Sequence, residues 1–198
     1  MPDAETTSLP FRHAFVLGKF MPIHAGHGHV VEAAAQQAER VTVLVWTLLR
    51  EPIPDAPRFA WAVAALAHLP NVRVVHVADE VPAQPEDSHD FRAIWVPLIH
   101  ASCGDALDVV FTSEAYGAEL GWRLGISDVC LDPARTKVPI SATRIRESPL
   151  PSWAFIPPAA RPYFVRRVAL VGTESSGTSA KTTRRPAYCA SPKPIPTT

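Results

Sequence analysis

The sequence predicts an α/β protein built on a doubly wound, parallel sheet of five strands. Two observations carry this prediction. Short apolar runs rich in β-branched residues alternate with segments of helical periodicity, an order typical of βαβ units. The length of 198 residues, 47% of them hydrophobic, allows one ordinary domain with a real core and little more. No internal repeat interrupts this pattern.

The elements follow one another regularly along the chain. Five short apolar runs predict the strands: Ala14–Leu17, Val41–Trp46, Val72–Val77, Val109–Thr112 and Val129–Leu131. Apolar residues at helical spacing predict the four helices between them: Gly26–Arg40, Ala56–His68, Asp90–Ser102 and Ala115–Leu124. The acidic, proline-bearing stretch 78–90 predicts an exposed loop. The arrangement is Rossmann-like, and ligands of such sheets bind at the carboxyl ends of the strands.

Charge and cysteine content exclude several function classes. The net charge is zero, but residues 1–132 hold 8 basic against 17 acidic residues and residues 133–198 hold 11 against 2. A neutral chain is a poor candidate for coating nucleic acid, whereas a basic last third suits small anions. Three dispersed cysteines without a CxxC spacing support neither a disulfide framework nor a zinc site. Neither a signal peptide nor an apolar run of about 20 residues is visible, so we expect a cytoplasmic protein with no membrane partner.

The segment between the first strand and the first helix is suited to hold a phosphate. A helix N-terminus offers unpaired N–H groups and a positive dipole end. Gly18 and Gly26 leave the backbone open to a ligand. His24 and His27 can point to one spot, with Lys19 beside them. Two histidines at a helix start are also often plain surface residues, and a zinc site would lack further ligands.

A second motif follows the fifth strand. Ser141 can cap a helix whose first turns carry Thr143, Arg144 and Arg146, so that spare N–H groups and cations face one direction. Taken alone, this pattern is typical of a capped surface helix. Together with the histidine motif, it predicts two helix N-termini opposed across one cleft.

The two motifs resemble those of the nucleotidylyltransferase superfamily, namely the HxGH loop at His24–His27 and the ISxTxxR helix at Ile140–Arg146. More closely, roughly residues 13–177 resemble the bifunctional NadR-type proteins, which join a nicotinamide mononucleotide adenylyltransferase to a nicotinamide riboside kinase. Five further stretches carry the closer resemblance: Gly18–Phe20, Phe111–Glu114, Asp132–Thr136, Trp153–Pro157 and Pro162–Arg166.

The resemblance implies adenylyl transfer from ATP to nicotinamide mononucleotide, giving NAD and pyrophosphate by in-line attack without a covalent intermediate. Mg²⁺ would arrive with ATP and be held largely by phosphate and water, with no protein metal site. Two other readings stay open. The chain could be another nucleotidylyltransferase, acting on pantetheine phosphate or a polyol phosphate, or a non-catalytic nucleotide-binding remnant. Both motifs are intact, which argues against the remnant.

The resemblance also implies roles for individual residues. ATP binding falls to nine of them: Gly18, Lys19, Phe20, His24, Gly26, His27, Ser141, Thr143 and Arg146. His24, His27, Lys19 and Arg146 would form the catalytic set, with His27 at the α-phosphate. The β- and γ-phosphates would be held by Ser141, Thr143 and Arg146.

The residues that would bind the acceptor are inferred only from the chemistry of nicotinamide mononucleotide. Nicotinamide is a flat, cationic ring, so an aromatic face is a natural partner. Trp95 and Trp46 are candidates, and core packing is the more expected role for Trp46. Arg58 and Arg135 could reach an acceptor phosphate or merely sit in surface ion pairs.

The chain divides into three expected parts: a flexible N-terminus 1–12, a nucleotidylyltransferase domain 13–165, and a stub with a disordered tail 166–198. Because only about a dozen residues precede the first predicted strand, we expect no DNA-binding repressor domain in this sequence.

Val168–Val171 predicts a further strand, and Gly172–Ser179 is nearly a P-loop, with Thr178 where the essential lysine should stand. Kinase activity is therefore predicted to be absent. A frameshift or truncation just after Gly177 is a hypothesis that would explain the lost lysine and the composition of the tail.

Overall fold

In the computed structural model, the described residues are 9–48, 51–78, 91–104 and 106–165. Nearly all of the loop expected at 78–90 lies outside them, as do the strand expected at Val168–Val171, the P-loop-like stretch and the tail. The predictions for those segments, and the division into three parts, stay predictions.

The five strands form one parallel sheet in the order β3-β2-β1-β4-β5. Their bounds are β1 Phe11–Gly18, β2 Ala38–Trp46, β3 Val72–Val77, β4 Val109–Thr112 and β5 Ser127–Cys130. The predicted sheet is confirmed, and β3 and β4 have the predicted bounds. β1 and β2 each begin three residues early because Phe11 pairs with Ala38 and His13 pairs with Arg40. β5 begins early because Ser127 pairs with Val109.

In the described part of the chain, five α-helices and two short 3₁₀ turns accompany the sheet. The helices are α1 Ala25–Gln37, α2 Asp55–Leu66, α3 Phe91–Cys103, α4 Tyr116–Leu124 and α5 Ala142–Glu147. The 3₁₀ turns are Trp153–Phe155 and Arg161–Phe164. The expectation that the first helix runs to Arg40 is wrong, because the chain enters β2 at Ala38. Among the helices that the structure describes, none has the length and apolar character to span a bilayer.

The sheet is covered on both faces, which explains why its central strands are continuous apolar runs. Along β1, Ala14 and Val16 join the core that includes α1, α2 and α5. Phe15 and Leu17 point to the opposite face and join the core that includes α3 and α4. Side chains alternate along a strand, so one strand supplies both cores.

β1 lies at the point where the strand order reverses, with β2 and β3 on one side and β4 and β5 on the other. In sheets of this kind a crevice opens outside the carboxyl ends of the strands at the switch point. Gly18 ends β1 and Thr112 ends β4, so these two ends mark the expected position of a ligand.

Helix α4 packs closely on the end of β4 at Gly117. A Cβ built on Gly117 would overlap Thr112 Oγ1 and lie 3.2 Å from Thr112 Cβ. We expect Gly117→Ala to lower the free energy of unfolding by about 1–3 kcal/mol, because a crowded interior must shift to admit the methyl group. Urea denaturation measures this change.

Gly28→Ala is the matched control, since its added Cβ meets nothing within 4 Å. That substitution in helix α1 should be neutral or slightly stabilising. Equal stability of the Gly117→Ala variant and the native protein would contradict the packing described here.

Candidate functional site

Two adjoining cavities open at the carboxyl ends of β1 and β4. The larger has a volume of about 420 Å³ and lies between the loop after β1, the end of β2 and the start of α5. The smaller, of about 240 Å³, lies between the start of α1 and the loop after β5. Their linings have six residues in common: His27, Val30, Ser113, Glu114, Ala142 and Thr143. The two cavities therefore form one cleft at the switch point of the sheet.

His24 caps helix α1 from an extended backbone conformation. Its Nδ1 accepts a hydrogen bond of 3.1 Å from the backbone N–H of Gly26. In the neutral ring the proton must then sit on Nε2, which is left as a donor. A Cβ on Gly26 would lie 2.9 Å from His24 Cε1, so only glycine leaves room for this ring position.

His27 is held between two rings and lines both cavities. Its imidazole stacks on that of His24, with centroids 3.8 Å apart and planes at 28°. On another side it contacts the ring of Phe20 at 4.7 Å, and Phe20 reaches this place with a left-handed backbone at φ 45°. The buried Nδ1 of His27 has no hydrogen-bond partner among the described residues.

Both histidines are neutral at physiological pH. Burial, with a smaller effect of the Arg135 charge, lowers the pKa of His24 to about 4. Burial also holds the pKa of His27 well below its ordinary value, with further contributions from His24 and Arg135. The imidazoles therefore offer N–H donors without a charge of their own. The positive charge in the cleft comes from Lys19, Arg146 and Arg135, all of which line it.

The second motif lies opposite the histidines, as predicted. Ser141 caps α5 by accepting a hydrogen bond of 3.2 Å from the N–H of Arg144. Arg146 donates from Nη1 to the Met21 carbonyl at 2.6 Å and from Nη2 to Thr143 Oγ1 at 3.1 Å. Arg146 thereby ties α5 to the loop after β1. The exposed Arg144 side chain lines neither cavity, which corrects the expectation that it faces the cleft.

The sequence reasoning missed Glu51, which lines neither cavity but contacts Lys19 of the cleft. Its Oε1 lies 3.0 Å from Lys19 Nζ, and the Lys19 ammonium lies 5.1 Å from the centroid of the Trp46 ring. The one available signal is position. Glu51 stands in the loop after β2, which in a parallel sheet opens at the same edge as the loop after β1.

The loop after β5 is organised by Asp132, whose backbone is left-handed at φ 49°. Its carboxylate accepts hydrogen bonds from the N–H and hydroxyl of Thr136, both at 2.7 Å, and from the N–H of Lys137 at 2.8 Å. Desolvation opposes ionisation of Asp132, but these hydrogen bonds hold its pKa at about 2. Arg135 belongs to the same loop, and its Nη2 lies 3.1 Å from Oε1 of Glu114, which follows β4. Both residues line the smaller cavity.

Two of the residues expected to bind the acceptor do not reach the cleft. Trp95 is completely buried on the inner face of α3, where it packs edge to face against Trp46 with centroids 4.6 Å apart. Trp46, the less favoured candidate, lines the larger cavity instead. Arg58 is also completely buried and pairs with Glu51 at 2.7 Å. Of the predicted acceptor contacts, Arg135 lies at the cleft.

Comparison with known proteins relates the chain to enzymes of NAD synthesis. The trifunctional NAD biosynthesis/regulator protein NadR of Escherichia coli is 32% identical over 180 residues, which cover 83% of this chain and 43% of NadR. The NadR protein of Salmonella typhimurium is 30% identical over 178 residues, with the same coverage. The chain is similar to these NadR proteins over most of its own length. It spans less than half of the length of these NadR relatives.

A shorter relative matches along most of its own length. The nicotinamide-nucleotide adenylyltransferase of Thermococcus kodakarensis is 26% identical over 166 residues, which cover 79% of this chain and 84% of the relative. No protein-family model matches the chain.

Two solved NadR structures share the fold. The crystal structure of NadR in complex with NR has a TM-score of 0.66 and 22% identity and covers 86% of this chain and 50% of the other. The crystal structure of NadR in complex with NAD and AMP-PNP has a TM-score of 0.63 and 22% identity, and the match covers 86% of this chain and 52% of the other. At this identity, the similarity to these NadR structures concerns the α/β fold.

The depressed pKa of His24 makes the stability of the protein depend on pH. Unfolded His24 takes up a proton near pH 6.5 and folded His24 only near pH 4, so the unfolded state binds more protons between these values. Stability is therefore fully present above pH 6.5 and falls by about 3 kcal/mol for this group as the pH drops to 4. Urea denaturation at several pH values between 7 and 4.5 measures the loss.

His24→Asn keeps a side-chain acceptor for the helix cap but cannot titrate, so its stability should fall less steeply over this range. His68→Asn, at an exposed histidine, is the control and should keep the native dependence. Identical slopes for His24→Asn and the native protein would contradict the pKa assigned to His24.

Proposed function

We propose that the chain transfers the adenylyl group of ATP to nicotinamide mononucleotide, forming NAD and pyrophosphate. The observation that carries this proposal is the cleft at the switch point. There His27 lies between two cavities, with Lys19 and Arg146 on one side and Arg135 on the other. The names of the relatives support it, because both the NadR proteins and the nicotinamide-nucleotide adenylyltransferases act in NAD synthesis.

The reaction needs positioning and charge stabilisation rather than covalent chemistry by the protein. A phosphate oxygen of the acceptor attacks the α-phosphorus of ATP in line. The bond from the α-phosphorus to the oxygen that bridges to the β-phosphate breaks, and pyrophosphate carries away that electron pair. Two substrates must therefore meet at one phosphorus atom, which a cleft of two joined cavities allows.

The histidines are proposed to contact the phosphate that reacts. His27 lines both cavities, whereas His24 lines only the smaller one, so His27 is the better placed to contact the α-phosphate where the substrates meet. His24 would donate from Nε2, because its Nδ1 is occupied by the N–H of Gly26. An anion beside these rings favours their protonated forms, so ATP binding would raise both pKa values.

The remaining ATP contacts are assigned to groups around the histidines. Lys19 and Arg146 line the larger cavity, and Ser141 lines the smaller. Thr143 lines both and is already bonded to Arg146, so these groups could grip the departing β- and γ-phosphates together. Gly18, Phe20 and Gly26 shape the wall of the cleft, and their roles are to keep it open and to fix the histidine rings.

Two assignments concern the acceptor and the metal. Trp46, which lines the larger cavity, takes the place of Trp95 as the aromatic candidate, and Arg135, which lines the smaller cavity, is the cation assigned to the acceptor phosphate. The carboxylates of Glu114 and Asp132 are engaged by Arg135 and by the loop after β5. Because both carboxylates already have partners within the protein, we expect Mg²⁺ to arrive with ATP and to be held by phosphate and water.

The proposed unit of function is the segment 13–165, which contains both motifs and every residue assigned above. We expect the reaction to take place in the cytoplasm, where ATP is available. Absence of kinase activity remains a prediction from the sequence of the P-loop-like stretch.

An acceptor panel tests the proposed reaction. Purified protein is incubated with ATP, Mg²⁺ and, in separate samples, nicotinamide mononucleotide, pantetheine phosphate or a polyol phosphate. We expect pyrophosphate release and NAD formation with nicotinamide mononucleotide, measured by chromatography. Pyrophosphate release with another acceptor alone would favour the other nucleotidylyltransferases, and none with any acceptor would favour a non-catalytic protein.

His27→Ala tests the assignment of the α-phosphate contact. Loss of one preorganised donor to the transition state should lower kcat by about 10²–10³-fold. Circular dichroism should show that the fold is kept. His68→Ala removes an exposed histidine and should leave kcat unchanged. An equal kcat for His27→Ala and His68→Ala would refute the role of His27.

A further inference from the structure

Glu51 is a nearly buried carboxylate beside the cleft, and the proposed reaction gives it no role. Its side chain is 9% exposed. One oxygen, Oε1, lies 3.0 Å from Lys19 Nζ. The other, Oε2, lies 2.7 Å from Arg58 Nη1 and accepts a hydrogen bond of 3.0 Å from the N–H of Leu48. The carboxylate thus bridges a buried cation and a cation at the cleft.

Arg58 holds both Glu51 and the backbone of Lys19 from the interior of the protein. Its side chain is completely buried, and its Nη1 also donates to the Lys19 carbonyl at 3.1 Å. Its Nε donates to the Pro54 carbonyl at 3.3 Å. One guanidinium therefore holds the carboxylate of Glu51 and the backbone of Lys19 in a fixed relation. Hydrogen bonds of this kind offset part of the cost of burying the ion pair, while the buried Nη2 of Arg58 has no hydrogen-bond partner among the described residues.

Glu51, Arg58 and Lys19 together carry a net charge of +1. Burial alone would raise the pKa of Glu51, but the Leu48 N–H, Lys19 and Arg58 hold it below its ordinary value, so the carboxylate is ionised. Arg58 lines neither cavity, whereas the Lys19 side chain is 33% exposed and lines the larger one. With Glu51 balanced by Arg58, the charge of Lys19 is left to act on the cleft.

Lysine is a long, flexible side chain, and fixing it in one rotamer costs conformational entropy. Here the ammonium is held by Glu51 on one side and by the Trp46 ring at 5.1 Å. Both contacts are made by groups of the protein itself. The entropy of ordering the ammonium is therefore lost on folding and need not be lost again when phosphate binds.

We propose that Glu51 is a positioning residue that fixes the Lys19 ammonium at the wall of the larger cavity, with Arg58 as its buried counter-ion. This inference rests on the proposed function, in which Lys19 contacts a phosphate of ATP. Glu51 does not itself touch a substrate, and its effect on the reaction passes through Lys19.

A double-mutant cycle separates positioning from a purely structural role. The four proteins are the native chain, Lys19→Ala, Glu51→Gln and the double variant. For each, kcat and the KM for ATP are measured in the NAD-forming assay. We expect Glu51→Gln to lower kcat on the order of tenfold when Lys19 is present, because the phosphate contact is misplaced. In the Lys19→Ala background, the same change should leave kcat unchanged.

Other results of the cycle overturn the inference. An equal loss of kcat in both backgrounds would show that Glu51 merely neutralises Arg58. An unchanged or higher kcat with Lys19 present would show that Glu51 competes with phosphate for the ammonium. If Glu51→Gln does not fold, as judged by circular dichroism, the cycle is run with Glu51→Asp. That variant keeps a counter-ion for Arg58 and shortens the reach to Lys19.

A chemical readout tests the position of Lys19 without any substrate. An N-hydroxysuccinimide ester of acetic acid acetylates lysines, and mass spectrometry gives the rate at each site. The exposed Lys137 is the internal reference. We expect Glu51→Gln, or Glu51→Asp, to raise the Lys19 rate several-fold relative to Lys137, because the ammonium is released.

An unchanged ratio of the two rates would overturn the positioning role whatever the enzyme does. A raised ratio in a protein that forms no NAD would leave the positioning of Lys19 intact and refute the proposed function alone.

Discussion

The loop between β1 and α1 depends on two arginines that reach its backbone from distant parts of the chain. Arg58, on α2, donates to the Lys19 carbonyl at 3.1 Å, and Arg146, on α5, donates to the Met21 carbonyl at 2.6 Å. A loop carbonyl bonded to a guanidinium is held by a charge-assisted hydrogen bond, stronger than a neutral one. These two contacts fix the loop that precedes the histidines and connect it to α2 and α5.

Burial then decides the chemistry of the cleft. His24 and His27 are stacked and desolvated, which keeps both neutral, so their rings carry N–H groups without a charge and the positive charge at the cleft comes from longer side chains. Glu51 orders the Lys19 ammonium and Glu114 pairs with Arg135. The site is thus an electrostatic arrangement already in place, the form in which proteins stabilise a phosphoryl group most effectively.

Much of this could be predicted because a parallel sheet obeys simple rules. Short β-branched runs with helices between them predict βαβ units, and the carboxyl ends of parallel strands open at one edge. His27 and Thr143, far apart in the sequence, therefore meet in one cleft, as predicted. Residue type alone could not tell Trp46 from Trp95. Their positions depend on which way α3 and the end of β2 face, and that is settled by how the core packs.

The sequence by itself determined the succession of strands and helices, the parallel direction of the strands, the capping residue Ser141 and the place of the cleft, because these follow from local periodicity and chain connectivity. The cap that His24 forms on α1 is seen only in the structure. The tertiary structure alone decided the roles of Glu51 and Arg58. Arg58 was expected at a substrate, and it is instead buried beneath the loop after β1, where it balances Glu51 and bonds a carbonyl. Which charge is buried and which faces a ligand depends on packing between elements, since a charge can leave water only where partners from other segments satisfy it.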